Sequence, residues 1–161
     1  MKALLDAGAD VHAGDDMALR WAAESGCLEA VKILLAVRTH EGQDAGADVH
    51  AFGDEALRWA AENEYVEVIK ILVIAGADVH AQDDFALRFA AETGHTETVK
   101  TLLECGADVH ANDGEALRTA SENGYDEVVK LLVKYGAEVG KLSPSAKHMI
   151  RLPLLIGKRM S

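Results

Sequence analysis

The sequence predicts an all-α solenoid of stacked helix-turn-helix units. A six-residue tag, Gly-Ala-Asp-Val-His-Ala, starts at Gly8, Gly46, Gly76 and Gly106, and a worn copy, GAEVG, starts at Gly136. The last three intervals are 30 residues each; the first is 38, the same period with an eight-residue insertion. A second tag, Ala-Leu-Arg, recurs in phase at Ala18, Ala56, Ala86 and Ala116. Self-similarity at a fixed period of this size marks a repeat architecture and outranks any local reading. Each unit carries few apolar residues per helix, so it must stack on its neighbours to bury them.

The unit around residues 84–113 shows how each element is expected to form. Asp84 stands where a carboxylate can accept from the free amides of a helix start. Helix A follows over 85–93, with Leu87, Ala90 and Ala91 at i, i+3 and i+4. Its alanines leave room for a neighbouring helix to approach closely. Gly94 ends it, where a left-handed residue is needed. Helix B runs over 96–105, burying Val99, Leu102 and Leu103, and Gly106 ends it. ADVHA alternates apolar and polar, as an extended arm into the next turn would.

These tags carry a resemblance. ALRxAA, GADVHA and the helix B pattern GHTETVKTLLECGA resemble, in register, the motifs of ankyrin-repeat proteins, over residues 1 to about 139. The resemblance implies a leading half-repeat at 1–13 and full repeats at 14–51, 52–81, 82–111 and 112–141, a repeat domain of 1–142 in all. Three departures stand out. The period falls short of the family's usual length of about 33, so the hairpin fingers before helix A should be short. Ala replaces the family's Pro, and Arg its His, so the usual Thr–His hydrogen bonding at the start of helix A cannot form.

MKALLDAGAD aligns with the second half of a helix B, which predicts a truncated start: residues 1–6 a frayed stub, and a first repeat whose open face exposes Leu19, Trp21 and Val31. The insertion, 36–43, is expected to be a short extension of helix B plus a loop. At 143–161, Ser143 and Pro144 form a helix-start signal. A capping helix over SAKHMIRL should follow, then a basic-apolar tail from Pro153.

Composition narrows the function classes. Aromatics are 5% of residues, so Ala, Val, Leu and Ile must build the core. Net charge is −11, but the five basic residues after Glu138 face no acidic ones, leaving 11 Lys/Arg against 27 Asp/Glu in the repeats. An acidic body argues against nucleic-acid binding and favours a protein partner with a basic surface, or serves solubility. No apolar run approaches the roughly 20 residues of a membrane span, and the N-terminus lacks the shape of a signal peptide. Cys27 and Cys105 fall in different repeats, too far apart to bridge, and read as free thiols in a reducing, cytoplasmic setting.

No catalytic motif, cofactor motif or metal motif emerges. HExxH, CxxC and GxSxG are absent, and GAEVGK at 136–141 lacks the spacing and hydroxyl of a phosphate loop. His12, His50, His80 and His110 share one repeat position. Neighbouring repeats lie roughly 8–10 Å apart, whereas the ligands of one metal lie within about 2 Å of it, so these histidines read as a hydrogen-bonding ladder. Arg20, Arg58, Arg88 and Arg118 each precede a Glu by four (Glu24, Glu62, Glu92 and Glu122), a spacing that predicts intrahelical or inter-repeat ion pairs. Trp21, Trp59 and Phe89 share a position where the resemblance implies an apolar packing residue, and they are read as core.

Positions that vary between repeats carry the functional expectation. At the finger and helix A entry stand Gly14 and Met17, Phe52 and Glu55, Gln82 and Phe85, and Asn112 and Glu115; just before the helix A stop stand Ser25, Asn63, Thr93 and Asn123. The resemblance implies that these positions meet a partner. Met17, Phe52 and Phe85 would be apolar anchors in a polar rim. The expected function is a non-catalytic scaffold that binds a partner protein on the concave face of the repeats, as a monomer. Two alternatives stand beside it: a fragment of a longer solenoid, weakly self-associating through its open N-terminal face, and an adaptor whose C-terminal tail recruits another protein.

Overall fold

The structure is a computed structural model, and it describes residues 9–36, 46–142 and 147. The chain divides into two compact units, residues 1–82 and 83–161. Among the described residues every regular element is helical. The first unit holds α1 (Ala13–Glu24), α2 (Leu28–Leu35), α3 (Ala51–Glu62) and α4 (Val66–Ile74). The second holds α5 (Ala81–Thr93, starting just before the boundary), α6 (Thr96–Glu104), α7 (Ala111–Glu122), α8 (Asp126–Lys134) and a 3₁₀ turn at Val139–Lys141.

Each pair is an antiparallel helix hairpin closed by the same backbone bonds. Helix A ends when the amide of Cys27, Tyr65, His95 or Tyr125 donates to the carbonyl of Ala22, Ala60, Ala90 or Ala120, each at 2.9 Å. Gly94 and Gly106 stand at positive φ, as their positions after helix ends require. Helix B ends when Ala77 donates to Leu72 at 2.9 Å, Ala107 to Leu102 at 3.0 Å and Ala137 to Leu132 at 3.0 Å. Ala47 makes the equivalent bond to Leu34 at 3.0 Å, so the chain rejoins the repeat register after the insertion. The helix extension expected there is absent: α2 stops at Leu35. The rest of the insertion and the stub at 1–6 lie outside the described residues, as does the tail apart from Lys147, which is helical.

In the first unit α1 packs on α3 and α2 on α4, burying Leu19, Val31, Leu34, Leu57, Ile69 and Leu72. In the second, α6 and α7 both pack on α8, burying Val99, Leu102, Leu117, Val128 and Leu132. Between helix B and the next helix A the arm alternates as expected: Ala47 and Val49, Ala77 and Val79, and Ala107 and Val109 are buried, while the Asp and His between and after them are exposed.

Three expectations need correction. Leu19 and Val31 are fully buried, against an open first face. Trp21 is 60% exposed, and Trp59 and Phe89 are half-buried, so this position is not core. The small alanines beside it bring the helices close, and a large ring fits only at the edge of the seam. Nor is Asp84 an ordinary capping residue. It is the last of three consecutive left-handed residues, Gln82, Asp83 and Asp84. The same single left-handed turn opens the other first helices at Gly14–Asp16, Phe52–Asp54 and Asn112–Gly114. Gly, Asn and Asp tolerate this conformation best and hold most of these positions.

Candidate partner-binding surface

The turn at helix A entry positions both a structural carboxylate and an exposed side chain. Asp16, Asp54 and Asp84 are buried, and each reaches forward to the next arm. Their carboxylates accept from the amides of Asp48 at 2.9 Å, Asp78 at 2.8 Å and Asp108 at 2.7 Å. His12 and His50 bring Nδ1 to 2.9 Å and 3.1 Å from the same carboxylates of Asp16 and Asp54. An ionised carboxylate only accepts, so the histidine proton sits on Nδ1. At these two turns the ladder histidine thus bonds to an aspartate of its own turn.

In the first unit, Phe52 opens α3 at φ +55 with its ring 60% exposed. The Arg20 guanidinium lies over that ring, 4.2 Å from its centroid, and 6.0 Å from the Trp59 ring. Arg20 also donates to Glu55, which accepts from Arg58 at 2.6 Å. The shared carboxylate anchors the guanidinium and so orients Phe52. Met17, Arg20 and Trp21 lie at i, i+3 and i+4 on one face of α1, and Trp21 is as exposed as Phe52.

The second unit repeats the theme with different residues. Phe85 stacks on Phe89 at 5.9 Å, and Arg88 lies 5.7 Å from the Phe85 ring centre. Arg88 also donates to Glu115, which accepts from Asn112 at 2.8 Å and Arg118 at 3.2 Å. The hydrogen bond from Asn112 and then that from Arg88 hold the Glu115 carboxyl below the usual carboxylate range, aided by the charges of Arg88 and Arg118 and opposed by partial burial. The expected four-residue pairs form at Arg58–Glu62 and Arg118–Glu122, at 3.8 Å and 3.5 Å.

The row before the helix A stop closes helix ends. Ser25 Oγ donates to the Trp21 carbonyl at 2.7 Å, Asn63 Nδ2 to Trp59 at 2.9 Å and Thr93 Oγ1 to Phe89 at 2.8 Å. Asn123 reaches across to the Glu92 carbonyl at 2.8 Å. The Trp21 and Trp59 carbonyls also accept the backbone amides of Ser25 and Asn63, so there the side chain adds a second bond at the helix end. Gln82 is exposed, its amide 3.4 Å from the Gly53 carbonyl. Sequence reasoning therefore placed Phe52 and Gln82 at the surface. It missed that Glu55 and Glu115 each bridge two arginines.

The family profile described as "Ankyrin repeats (3 copies)" matches residues 1–83 and again 82–142. The chain belongs to the ankyrin-repeat family. The two matches meet where the two compact units meet. No curated protein matches the chain. Ankyrin repeats are in general non-catalytic protein–protein interaction modules. In this ankyrin-repeat protein the forward-reaching Asp and its His tie one repeat to the next, in a turn where the family's Thr–His pattern cannot form. Among the described residues no three of His, Cys, Asp and Glu converge as metal ligands, and no helix is long and apolar enough to cross a membrane. Cys27 and Cys105 are not joined in a disulfide.

Proposed function

We propose that this chain is a non-catalytic interaction module that grips a partner protein by the entry turns and first helices of its repeats, with Phe52 as the principal anchor. One observation carries the reading. A bulky aromatic in a left-handed turn is disfavoured by roughly 1–2 kcal/mol, and Phe52 regains little of this by burial because its ring stays exposed. The same turn position holds Gly14, Gln82 and Asn112 elsewhere. A strained, exposed ring pre-oriented by an arginine is the makeup of a binding hot spot. In the first unit Met17 and Trp21 extend the apolar area, and Ser25, Asn63 and Gln82 supply its polar rim; in the second unit Phe85 is the counterpart anchor, with Thr93, Asn112 and Asn123 as its rim. Glu55 and Glu115 act by holding the arginines in place. The partner segment carries an apolar side chain for the Phe52 surface and basic residues for the acidic body, in a reducing compartment.

A peptide-display selection against the whole chain tests this. The expected ligands combine aliphatic or aromatic residues with Lys or Arg, weaken as salt is raised, and bind a Trp21→Ala or Phe52→Asn variant at least about tenfold less well. Ligands that bind both variants as tightly as the parent chain would place the binding surface elsewhere.

A further inference from the structure

Three of the four entry turns hold a buried carboxylate in one seat, built by Asp16, Asp54 and Asp84. The seat offers the backbone amide of the following arm and, at the first two turns, a histidine Nδ1 four residues back. It accepts negative charge in acidic company: Asp15 and Asp48 flank the first seat in sequence register, and Asp83 and Asp108 flank the third. At the fourth turn the residue is Gly114, at φ +77, and a Cβ placed there would meet nothing within 4 Å. The rest of the seat is kept in register. His110 stands four residues before Gly114, and Glu138 occupies the arm position held by Asp48, Asp78 and Asp108. A cavity of about 300 Å³ opens at this point, lined by His110, Asp113, Gly114, Leu117, Arg118 and Glu138, with Leu142 at its wall; Asp113 and Glu138 stand where Asp83 and Asp108 flank the third seat.

We propose that this cavity is a binding site for a carboxylate carried on a partner peptide, which takes the place that an aspartate fills in the other three turns. His110 supplies the ring donor and Arg118 (already shared with Glu115 and Glu122) supplies positive charge. Leu117 and Leu142 give the carboxylate's aliphatic stem an apolar wall. Either an Asp or Glu side chain or a chain-terminal carboxylate has this chemistry. The site lies in the second unit and stands independently of the role of Phe52.

The test is an NMR titration of the whole chain with three probes: acetyl-Asp-amide for the side-chain source, acetyl-Ala-Leu with a free terminus for the terminal source, and acetyl-Ala-Leu-amide as the neutral control. At least one carboxylate probe should shift the His110 ring and Glu138 amide signals, and the tighter one names the source. Gly114→Asp should abolish those shifts, because its own side chain fills the seat, and should melt no lower than the parent since Asp holds this conformation in three other turns. His110→Ala should weaken binding at least about tenfold. Equal binding of the amidated control, shifts that persist in Gly114→Asp, or no shifts with either carboxylate would overturn the proposal.

Discussion

Thr98 shows how single residues set the stability of this chain. It is fully buried in α6, and its hydroxyl has no hydrogen-bond partner among the described residues. The second and fourth repeats carry Val68 and Val128 at the same place, both buried. Leaving a buried hydroxyl unpaired costs about 1–3 kcal/mol. Thr98→Val keeps the shape and removes that group, so chemical denaturation should show a gain of about 1 kcal/mol. Asp54 is the opposite case. Its buried carboxylate holds the Asp78 amide and the His50 ring. Asp54→Ala strands both donors and should lower stability by about 2 kcal/mol, read from urea unfolding. Asp84, its counterpart in the third repeat, was legible only as a helix-start signal. Its forward reach was not, because the left-handed turn that aims it depends on the stacking of two repeats.

Among elements, two ion pairs of the described residues reach between stacked helices, beside those that stay within one helix. Arg20 of α1 shares Glu55 of α3 with Arg58, and Arg88 of α5 shares Glu115 of α7 with Arg118. Comparing single repeats hides this, because the bridging Glu recurs only in the second and fourth. Tyr65 and Tyr125 follow the same alternation. Each ring lies where a side chain on Gly26 or Gly94 would have to stand, 2.7 Å from the position of its Cβ. Read two repeats at a time, the sequence carries this signal; read one at a time, Glu55 and Glu115 look like freely varying surface. The lowered Glu115 carboxyl gives a pH prediction. A carboxylate more acidic in the folded than in the unfolded chain stabilises above its ordinary range, and that contribution fades as pH falls through the lowered value. Glu115→Gln should therefore melt below the parent chain at neutral pH, and the gap should close as pH falls through the lowered value. A gap that stayed constant with pH would assign the difference to packing.

For the whole molecule, the fold class was legible because the period is a packing statement: a unit too small for its own core must stack, and the tags mark where. The binding surface was legible only in part. Variation between repeats flagged Phe52 and Phe85 but also the helix-closing Ser25, Asn63, Thr93 and Asn123, since a polar residue at a helix end varies as freely as one facing a partner. Phe52 separates from them on physical grounds. Replacing it with Asn, which already occupies the same turn at Asn112, relieves roughly 1 kcal/mol of backbone strain and removes a cation–π contact of about 0.5–1 kcal/mol. These terms nearly cancel, so the fold has little stake in Phe52 and a partner has much. The decisive measurement is the melting temperature of Phe52→Asn beside its affinity for a display-selected ligand. The predicted result is a melting temperature within about 3 °C of the parent and an affinity at least roughly tenfold weaker. A clear drop in melting temperature with affinity intact would make Phe52 a structural residue and contradict the account.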